Sequence, residues 1–325
     1  MRWIVGVCAW LALVVWLLQR WPGGATSWLS ALLVFAPLPL WLALLVPALL
    51  AGLFGHDRWA LVGALVLAGF VMFELMGLAV SVPGRAQSGP RLVVATWNLH
   101  NNPARADEVR RAVDGVGADV AFLQEARSNV FVEAFSDWHV FHSRSQLLAA
   151  RGELGETRVV RLGSSWRGAL TARIAVGGRE VSLLDAHLPV ALPGQSLHLR
   201  QGGRREYLRM TTRFRQEQIA SLAVWASQQS EPFVIAGDFN TQAQDPVWAL
   251  LRPLATNAFA TRGLGLGYTF PSRLPVWRID HIWVSPQWRV LRCGTFGGTI
   301  SDHRGVWAEL ELFPGAAQRP SAPAR

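Results

Sequence analysis

The chain has 325 residues, 51% of them hydrophobic and only 16% charged, with 31 basic residues against 22 acidic ones for a net charge of +9. This length suits a domain with an appendage rather than one small domain, and the composition is more apolar than an ordinary soluble domain. With two cysteines, Cys8 in the first apolar stretch and Cys293 near the C-terminus, no disulfide framework is expected, and there is no Cys/His zinc spacing. Every basic residue is Arg, the usage a GC-rich genome produces, so basicity favours polyanions in general without specifying a nucleic-acid partner.

The charges are unevenly spread. Residues 1–85 hold four Arg, one Asp and one Glu, and most of the rest of that region is apolar. Three stretches, 3–19, 28–54 and 59–80, approach or exceed the roughly 20 apolar residues that a helix needs to cross a bilayer. The second contains Pro37, Pro39 and Pro47, which membrane helices tolerate. Trp3, Trp21, Trp28 and Trp59 lie near the ends, where interfacial anchors sit. A cleaved signal peptide would explain residues 1–25, but two further apolar stretches follow at once, so three spans are expected in residues 1–81. Glu74 is costly in lipid; with no second membrane charge apparent in the sequence, it is expected to face the bundle interior or an interface, and a transporter has little support. Arg2 and Arg58 count for one side, Arg20, Arg85 and Arg91 for the other, so the charge rule does not orient the chain.

Residues 82–90, rich in Gly, Ser and Pro, read as a linker. A globular domain is expected over 91–313, and a Pro/Ala-rich disordered tail over 314–325. Short apolar runs rich in β-branched and aromatic residues predict strands over 91–96, 119–123, 169–176, 180–185, 233–236, 281–284 and 306–312. Gly177-Gly178 makes a hairpin of the third and fourth. A helix is predicted over 106–116, and a stronger one over 211–228, where Ile219, Leu222, Ala223 and Ala226 fall at i, i+3, i+4 and i+7. Strands interspersed with a few helices indicate α/β layers.

Polar clusters stand where these strands should end: Thr96-Trp97-Asn98, Gln124-Glu125, Asp185-Ala186-His187, Gly237-Asp238-Phe239-Asn240, Ile279-Asp280-His281 and Ser301-Asp302-His303. Carboxylates, carboxamides and imidazoles gathered in this way suit a divalent metal and a phosphate. Mg²⁺ takes hard oxygen ligands and retains several waters, so it needs few protein oxygens. Glu125 follows the apolar run 120–123, which would carry its carboxylate to a strand end; the plainer reading is an ordinary exposed Glu. Asn98 offers a carboxamide oxygen or simply turn chemistry. Asp238 and Asn240, two apart, share a face of an extended segment; a Gly-Asp turn is the plain reading. His303 sits beside Asp302, and a neighbouring carboxylate raises an imidazole's pKa. A lone His is more often structural, and His281 keeps that role; His139, His142 and His198 have none.

The order and wording of the six clusters resemble the endonuclease/exonuclease/phosphatase superfamily, which includes DNase I-like nucleases, AP endonucleases, sphingomyelinases and inositol polyphosphate 5-phosphatases. The resemblance implies a four-layer sandwich, two β-sheets flanked by helices, with the active site at one edge. It implies Mg²⁺, with Mn²⁺ as a substitute, held by Glu125, Asn98 and Asp302. Asp238 would orient or deprotonate the attacking water, Asn240 would steady the phosphate, His187 would hydrogen-bond it, and His303, oriented by Asp280, would act as base or as a charged stabiliser. The implied reaction is in-line attack of water on phosphorus without a covalent intermediate.

Some departures narrow the substrate. His100 replaces the Asp that AP endonucleases carry two residues after the Asn. Pro275-Val276-Trp277-Arg278-Ile279-Asp280 is similar to the 5-phosphatase motif Pro-x-Trp-x-Asp-Arg, but it has one residue too many and His281 in place of the Arg, and Thr241-Gln242 replaces an aromatic-Arg pair. That subfamily is set aside. Arg200, Arg204, Arg205, Arg209, Arg213 and Arg215 stand against one acid, Glu206; this stretch could bind nucleic-acid phosphates, with Arg204 and Arg205 as candidate substrate contacts, or an anionic bilayer, or be a solvated helix face. The expectation is a membrane-anchored phosphodiesterase acting on nucleic acid. The alternatives are a phospholipid or sphingomyelin-type phosphodiesterase, a phosphomonoesterase, and a catalytically silent binding or sensor module. A bilayer is the expected partner of the N-terminal helices, and no protein partner is expected. Similarity to anchored bacterial proteins places the domain outside the cytoplasm.

Overall fold

The computed structural model describes residues 2–20, 33–36, 38–163, 168–189 and 203–313. The chain divides into two units, one of residues 1–78, 191–216 and 242–248, the other of 79–190, 217–241 and 249–325.

The first unit contains three apolar helices, α1 (Arg2–Arg20), α2 (Leu38–Phe54) and α3 (Arg58–Phe70), the last continuing through a π-helical turn, Val71–Leu75. Two helical runs, Arg2–Arg20 and Arg58–Leu75, are long and apolar enough to cross a membrane. The expected second span differs: its helix begins only at Leu38 and has 17 residues, and residues 28–32 and 37 lie outside those described. The expected third span stops at Leu75 instead of reaching residue 80. Gly77, at φ 72°, ends it in the left-handed conformation that terminates helices, and Leu78 N–H donates back to Met72 O. Glu74 does have a charged partner: Arg20 Nη2 donates to its Oε2 at 3.0 Å, and Trp16 Nε1 at 2.8 Å. Arg2 pairs with Asp57, which also caps α3 by accepting from Trp59 N. The two pairs join opposite ends of α1 to opposite ends of the Arg58–Leu75 run, so these helices are parallel.

The second unit is an α/β fold of two six-stranded sheets flanked by helices. Its strands in chain order are β1 (Ala79–Val80), β2 (Arg91–Asn98), β3 (Val120–Gln124), β4 (His139–Ser143), β5 (Gln146–Ala150), β6 (Gly155–Arg161), β7 (Gly168–Val176), β8 (Arg179–His187), β9 (Phe233–Asp238), β10 (Thr256–Asn257), β11 (Leu264–Gly265), β12 (Asp280–Val284), β13 (Trp288–Phe296) and β14 (Gly305–Leu312). One sheet runs β10-β12-β9-β8-β7-β6 and the other β13-β14-β2-β3-β5-β4; β1 and β11 pair separately. Between the sheets lies a core that includes Val94, Phe122, Leu148, Leu183, Val234 and Ile282. The outer face of the second sheet buries Trp97, Leu123 and Leu147 against α4 (Ala106–Gly115) and α5 (Asn129–Ala134), through Val109, Val113 and Phe131. Helix α6 (Gly203–Ser227) buries Ile219, Leu222 and Ala226, and its Trp225 ring meets Phe233 edge-on at 5.8 Å. A short helix, α7 (Ala258–Arg262), packs on β12 and β13.

The 82–90 segment has no helix or strand, yet it is fastened. Gln87 N and Gly89 N both donate to Glu311 Oε1, and Gly84 N to Leu291 O.

Two features constrain the strand ends of the sandwich. Gln124 of β3 donates through Nε2 to Asp185 Oδ1 of β8 at 2.6 Å, a bridge from one sheet to the other. Asp185 has no solvent exposure, and burial raises its pKa well above the ordinary carboxylate value, although the Gln124 bond opposes this. At Gly237 of β9, φ is +150°, and a Cβ would stand 1.8 Å from Ala186 O of β8, so only glycine fits.

Gly237→Ala is therefore expected to cost about 3 kcal/mol or more, the scale of backbone strain combined with overpacking, measured by chemical denaturation. For Asp185 the folded-state pKa lies above the unfolded one. Its favourable contribution is complete below about pH 4 and declines as pH rises towards the folded-state value. Wild type should thus lose stability relative to Asp185→Asn as pH rises above about 4; parallel curves across that range would refute the burial argument.

Candidate functional site

Strand register assembles the site. β12 and β9 pair antiparallel with Asp280 opposite Asp238, and β9 pairs in parallel with β8, setting Asp238 beside His187. Three functional side chains thus stand in a row across three neighbouring strands. In the other sheet, β2 and β3 are parallel and end together at Asn98 and Gln124, with Glu125 next. Glu125 and Asn240, both just past strand ends, have φ of 54° and 46°, sparsely populated backbone for residues with a Cβ and a feature concentrated at functional sites.

Asp238 is 1% exposed and Asp280 1%, so two carboxylates lie side by side almost without water. Asp238 Oδ2 accepts from Asn98 Nδ2 at 2.9 Å and from Asn240 Nδ2 at 3.3 Å, and its Oδ1 from Asn240 N at 2.9 Å. His303 Nδ1 lies 2.9 Å from Asp280 Oδ2, while His303 Nε2 is 3.9 Å from Asp238 Oδ2. These two acids and His303 offer ligand atoms all within 4.8 Å of one another. His187 Nε2 is 3.8 Å from both Glu125 Oε1 and Asp238 Oδ2, and Asn98 Nδ2 is 3.4 Å from Glu125 Oε1.

The structure therefore brings Asn98, Glu125, His187, Asp238, Asn240, Asp280 and His303 into one cluster. Asp302 joins through its neighbours: Ser301 Oγ donates to Asn98 O at 2.7 Å and lies 3.2 Å from Asp302 Oδ1, and Asp302 Oδ2 meets His100 Nδ1 at 3.1 Å. The carboxamide oxygen of Asn98, expected to face a metal, accepts from His100 N at 3.0 Å, and its nitrogen faces the carboxylates. Arg204 and Arg205 belong to the first turn of α6, and their side chains lie outside the described residues. Arg215, from the same arginine-rich stretch, is buried and pairs with Asp245 at 3.5 Å, which corrects its reading as a surface contact for phosphate. Arg209 and Arg213 are exposed.

Burial pushes Asp238 up to about 7; neighbouring Asp280 adds to the rise, while His303 and the Asn98 hydrogen bond oppose it. For His303, burial favours the neutral ring, but Asp280 and Asp238 outweigh it and the pKa is raised, to about 10. The two carboxylates thus favour the charged imidazolium form of His303. His281 is the opposite case: burial, with nearby Arg278, lowers it to about 4, and its Nε2 lies 2.8 Å from Thr241 O.

Several supporting residues escape a reading of the sequence. Trp97 Nε1 donates to His303 O at 2.9 Å, and Phe270 packs its ring 4.6 Å from the His303 ring. Trp97, Gln124, Asp185 and Ser301 all stand inside the strand-end clusters, so their position was a signal; Phe270 lies in a loop with no such mark.

The donor set fits a hard divalent cation. Glu125, Asp238, Asp280 and Asp302 supply four carboxylates to a cluster in which no Arg contact is found among the described residues. Asp280 Oδ1 is buried with no hydrogen-bond partner there. Carboxylate oxygens gathered in this way suit a divalent cation.

Asp280→Asn should lower the pKa of the His303 ring, because the amide removes the charge that favours the imidazolium while leaving the burial that disfavours it. NMR titration of the ring nitrogens measures this; an unchanged pKa would show that Asp280 is not the charge holding the proton.

The Endonuclease/Exonuclease/phosphatase family profile matches residues 95–303, a span that begins within β2 and closes on His303. No curated protein matches. Among solved structures, an endonuclease/exonuclease/phosphatase family protein from Bacteroides thetaiotaomicron superposes with a TM-score of 0.56 at 16% identity, covering 72% of this chain and 99% of that one. The endonuclease/exonuclease/phosphatase from Bacteroides vulgatus gives 0.55 at 18%, covering 69% and 99%. D. rerio TDP2, solved in complex with a single strand DNA product, gives 0.55 at 17%, covering 70% and 100%. At these identities the superpositions speak for the fold, and the profile match speaks for the family: the chain belongs to the Endonuclease/Exonuclease/phosphatase family.

Proposed function

We propose that the protein is a membrane-anchored, divalent-metal-dependent phosphodiesterase that hydrolyses its substrate by in-line attack of water, with nucleic acid as the substrate class. One observation carries this reading: Asp238, Asp280 and His303 meet without solvent at the end of one sheet, beside Asn98 and Glu125 from the other. Asp238, with its pKa raised to about 7, suits accepting a proton from water near neutral pH. The Asn98 and Asn240 amides hold its carboxylate in place. His303, kept charged by Asp280, presents Nε2 on the same side as Asp238 and suits stabilising negative charge that builds on phosphate oxygens. His187, at the same strand end, is assigned to a phosphate oxygen. Glu125 and Asp302 would hold Mg²⁺ or Mn²⁺, which would supply charge neutralisation at the phosphate and leaving oxygens, while Asn98 positions the carboxylates through its amide nitrogen.

Family membership supports the reaction class. The complex of D. rerio TDP2 with a single strand DNA product supports nucleic acid as the substrate class. The apolar helices of the first unit support the anchor and favour a phospholipid head group as the second reading.

Full-length protein in detergent should hydrolyse bis(p-nitrophenyl) phosphate with added Mg²⁺ or Mn²⁺ and lose activity with EDTA. His303→Ala should lower kcat by about 10²- to 10⁴-fold, the usual contribution of a positioned proton-transfer or charged group, and Glu125→Gln should raise the metal concentration required. Turnover indifferent to both metal and His303 would end the enzymatic reading. Comparing plasmid DNA, RNA, sphingomyelin and phosphomonoesters then decides the substrate class.

A further inference from the structure

Four large apolar side chains of the second unit are unusually bare: Val80 at 68%, Val82 at 76%, Leu264 at 76% and Leu274 at 74% exposure. They are not scattered. Val80 of β1 is directly opposite Leu264 of β11 in an antiparallel pair, and Val82 follows two residues later on the same segment. Ser81 Oγ donates to Gly263 O, tying the two strands together beyond the ladder. Leu264 and Pro275, the chain neighbour of Leu274, both line one cavity of about 360 Å³. Arg304, the residue after His303, lines that cavity too. An exposed apolar cluster of this kind marks an interaction site rather than ordinary surface.

We propose that this edge, β1 with β11 and the 273–275 turn, docks on an anionic lipid surface, with Val80, Val82, Leu264 and Leu274 entering the interfacial layer. Two observations select lipid as the occupant. The first is charge. Residues 254–279 contain Arg262, Arg273 and Arg278 and no Asp or Glu, and residues 79–90 contain Arg85 and no acid. Arg278 is buried, but Arg273 and Arg85 are exposed and Arg262 is half-buried, so basic groups flank the apolar ones. Apolar side chains on segments that carry arginines and no acid of their own suit anionic head groups over acyl chains. The second is chain continuity. Only residues 76–78 separate the end of the Arg58–Leu75 run from β1. Four Cα–Cα steps reach no further than about 15 Å, so wherever that run leaves a bilayer, β1 emerges at its surface. The inference rests on reading that run as membrane-spanning. Its consequence for the site is direct: with Arg304 on the cavity wall, docking this edge sets the catalytic loop beside the head-group layer.

The test uses the full-length chain with Cys8→Ser and Cys293→Ser, reconstituted in vesicles of phosphatidylcholine and phosphatidylglycerol. An environment-sensitive fluorophore is placed on Leu264→Cys, on Leu274→Cys, or on Val159→Cys, an exposed position of β6 at the far edge of the sheet from β10. Doxyl-labelled lipids serve as quenchers. Quenching and a blue shift at 264 and 274, with neither at 159, are expected. Emission at all three sites that is indifferent to doxyl lipid overturns the proposal and leaves the edge to a protein partner, and equal quenching at all three also overturns it, since the surface would then not be specific. Retained hydrolysis of a soluble phosphodiester by each labelled variant shows that the fold is intact. Alkaline carbonate extraction separates the two readings: release from the vesicles refutes the spanning helices, while the quenching pattern still judges the docking edge.

Discussion

Two carboxylates set directly opposite each other on paired strands, and shut off from water, are a conflict that the rest of the second unit answers. At the separation of Asp238 and Asp280, within 4.8 Å between ligand atoms, like charges repel by about 3 kcal/mol even at an effective dielectric constant of 20. Three responses are visible. His303 places a positive ring between the acids, the amides of Asn98 and Asn240 donate to Asp238, and burial keeps a proton on Asp238 to a higher pH than an exposed carboxylate would hold it. One oxygen is left out of these responses: Asp280 Oδ1 has no hydrogen-bond partner among the described residues.

Such a cluster is useful only if the groups from the two sheets stay in fixed relation. Asp238 and Asp280 belong to one sheet, Asn98 and Glu125 to the other, and the polar links between them are short. Gln124 reaches Asp185 behind the site, and Asn98 reaches Asp238 within it. The 301–304 loop is tied to both sides: Ser301 to the end of β2, the His303 carbonyl to Trp97 Nε1, and the His303 ring to Asp280. Holding a reactive constellation on strand ends, with hydrogen-bonded neighbours locking each side chain, is what catalytic geometry requires.

Much of this was legible in the residues, because two-fold alternation and continuous apolar runs are strong signals and polar clusters at run ends are rare by chance. Strands β2, β3, β7, β8, β9, β12 and β14 stand where apolar runs predict them, and the β7–β8 hairpin turns on Gly177 and Gly178, both at positive φ. Other elements carry weaker marks. β6, Gly155–Arg161, is almost wholly exposed and pairs on one side only, so its sequence has no apolar face to show. β4 and β5 are interrupted by His139, His142 and Gln146. Helix α6 extends back to Gly203, through arginines that lack apolar periodicity. The pairing of Glu74 with Arg20 was hidden because it joins residues 54 apart, and only packing of α1 beside α3 reveals it. The polar bridge from Gln124 to Asp185 was hidden for the same reason: the sequence shows that a residue ends a strand, not which strand of another sheet faces it.

The contact of Gly237 with Ala186 bears on how this scaffold can diversify. Strands β8 and β9 touch backbone to backbone immediately behind His187 and Asp238, with no volume into which a side chain could expand. That backbone contact leaves no room for a side chain behind the two residues, so variation in shape around the cluster is left to loops such as 264–278 and 298–304. Reshaping those loops would change what reaches the cluster while the row of His187, Asp238 and Asp280 stays held by its own skeleton.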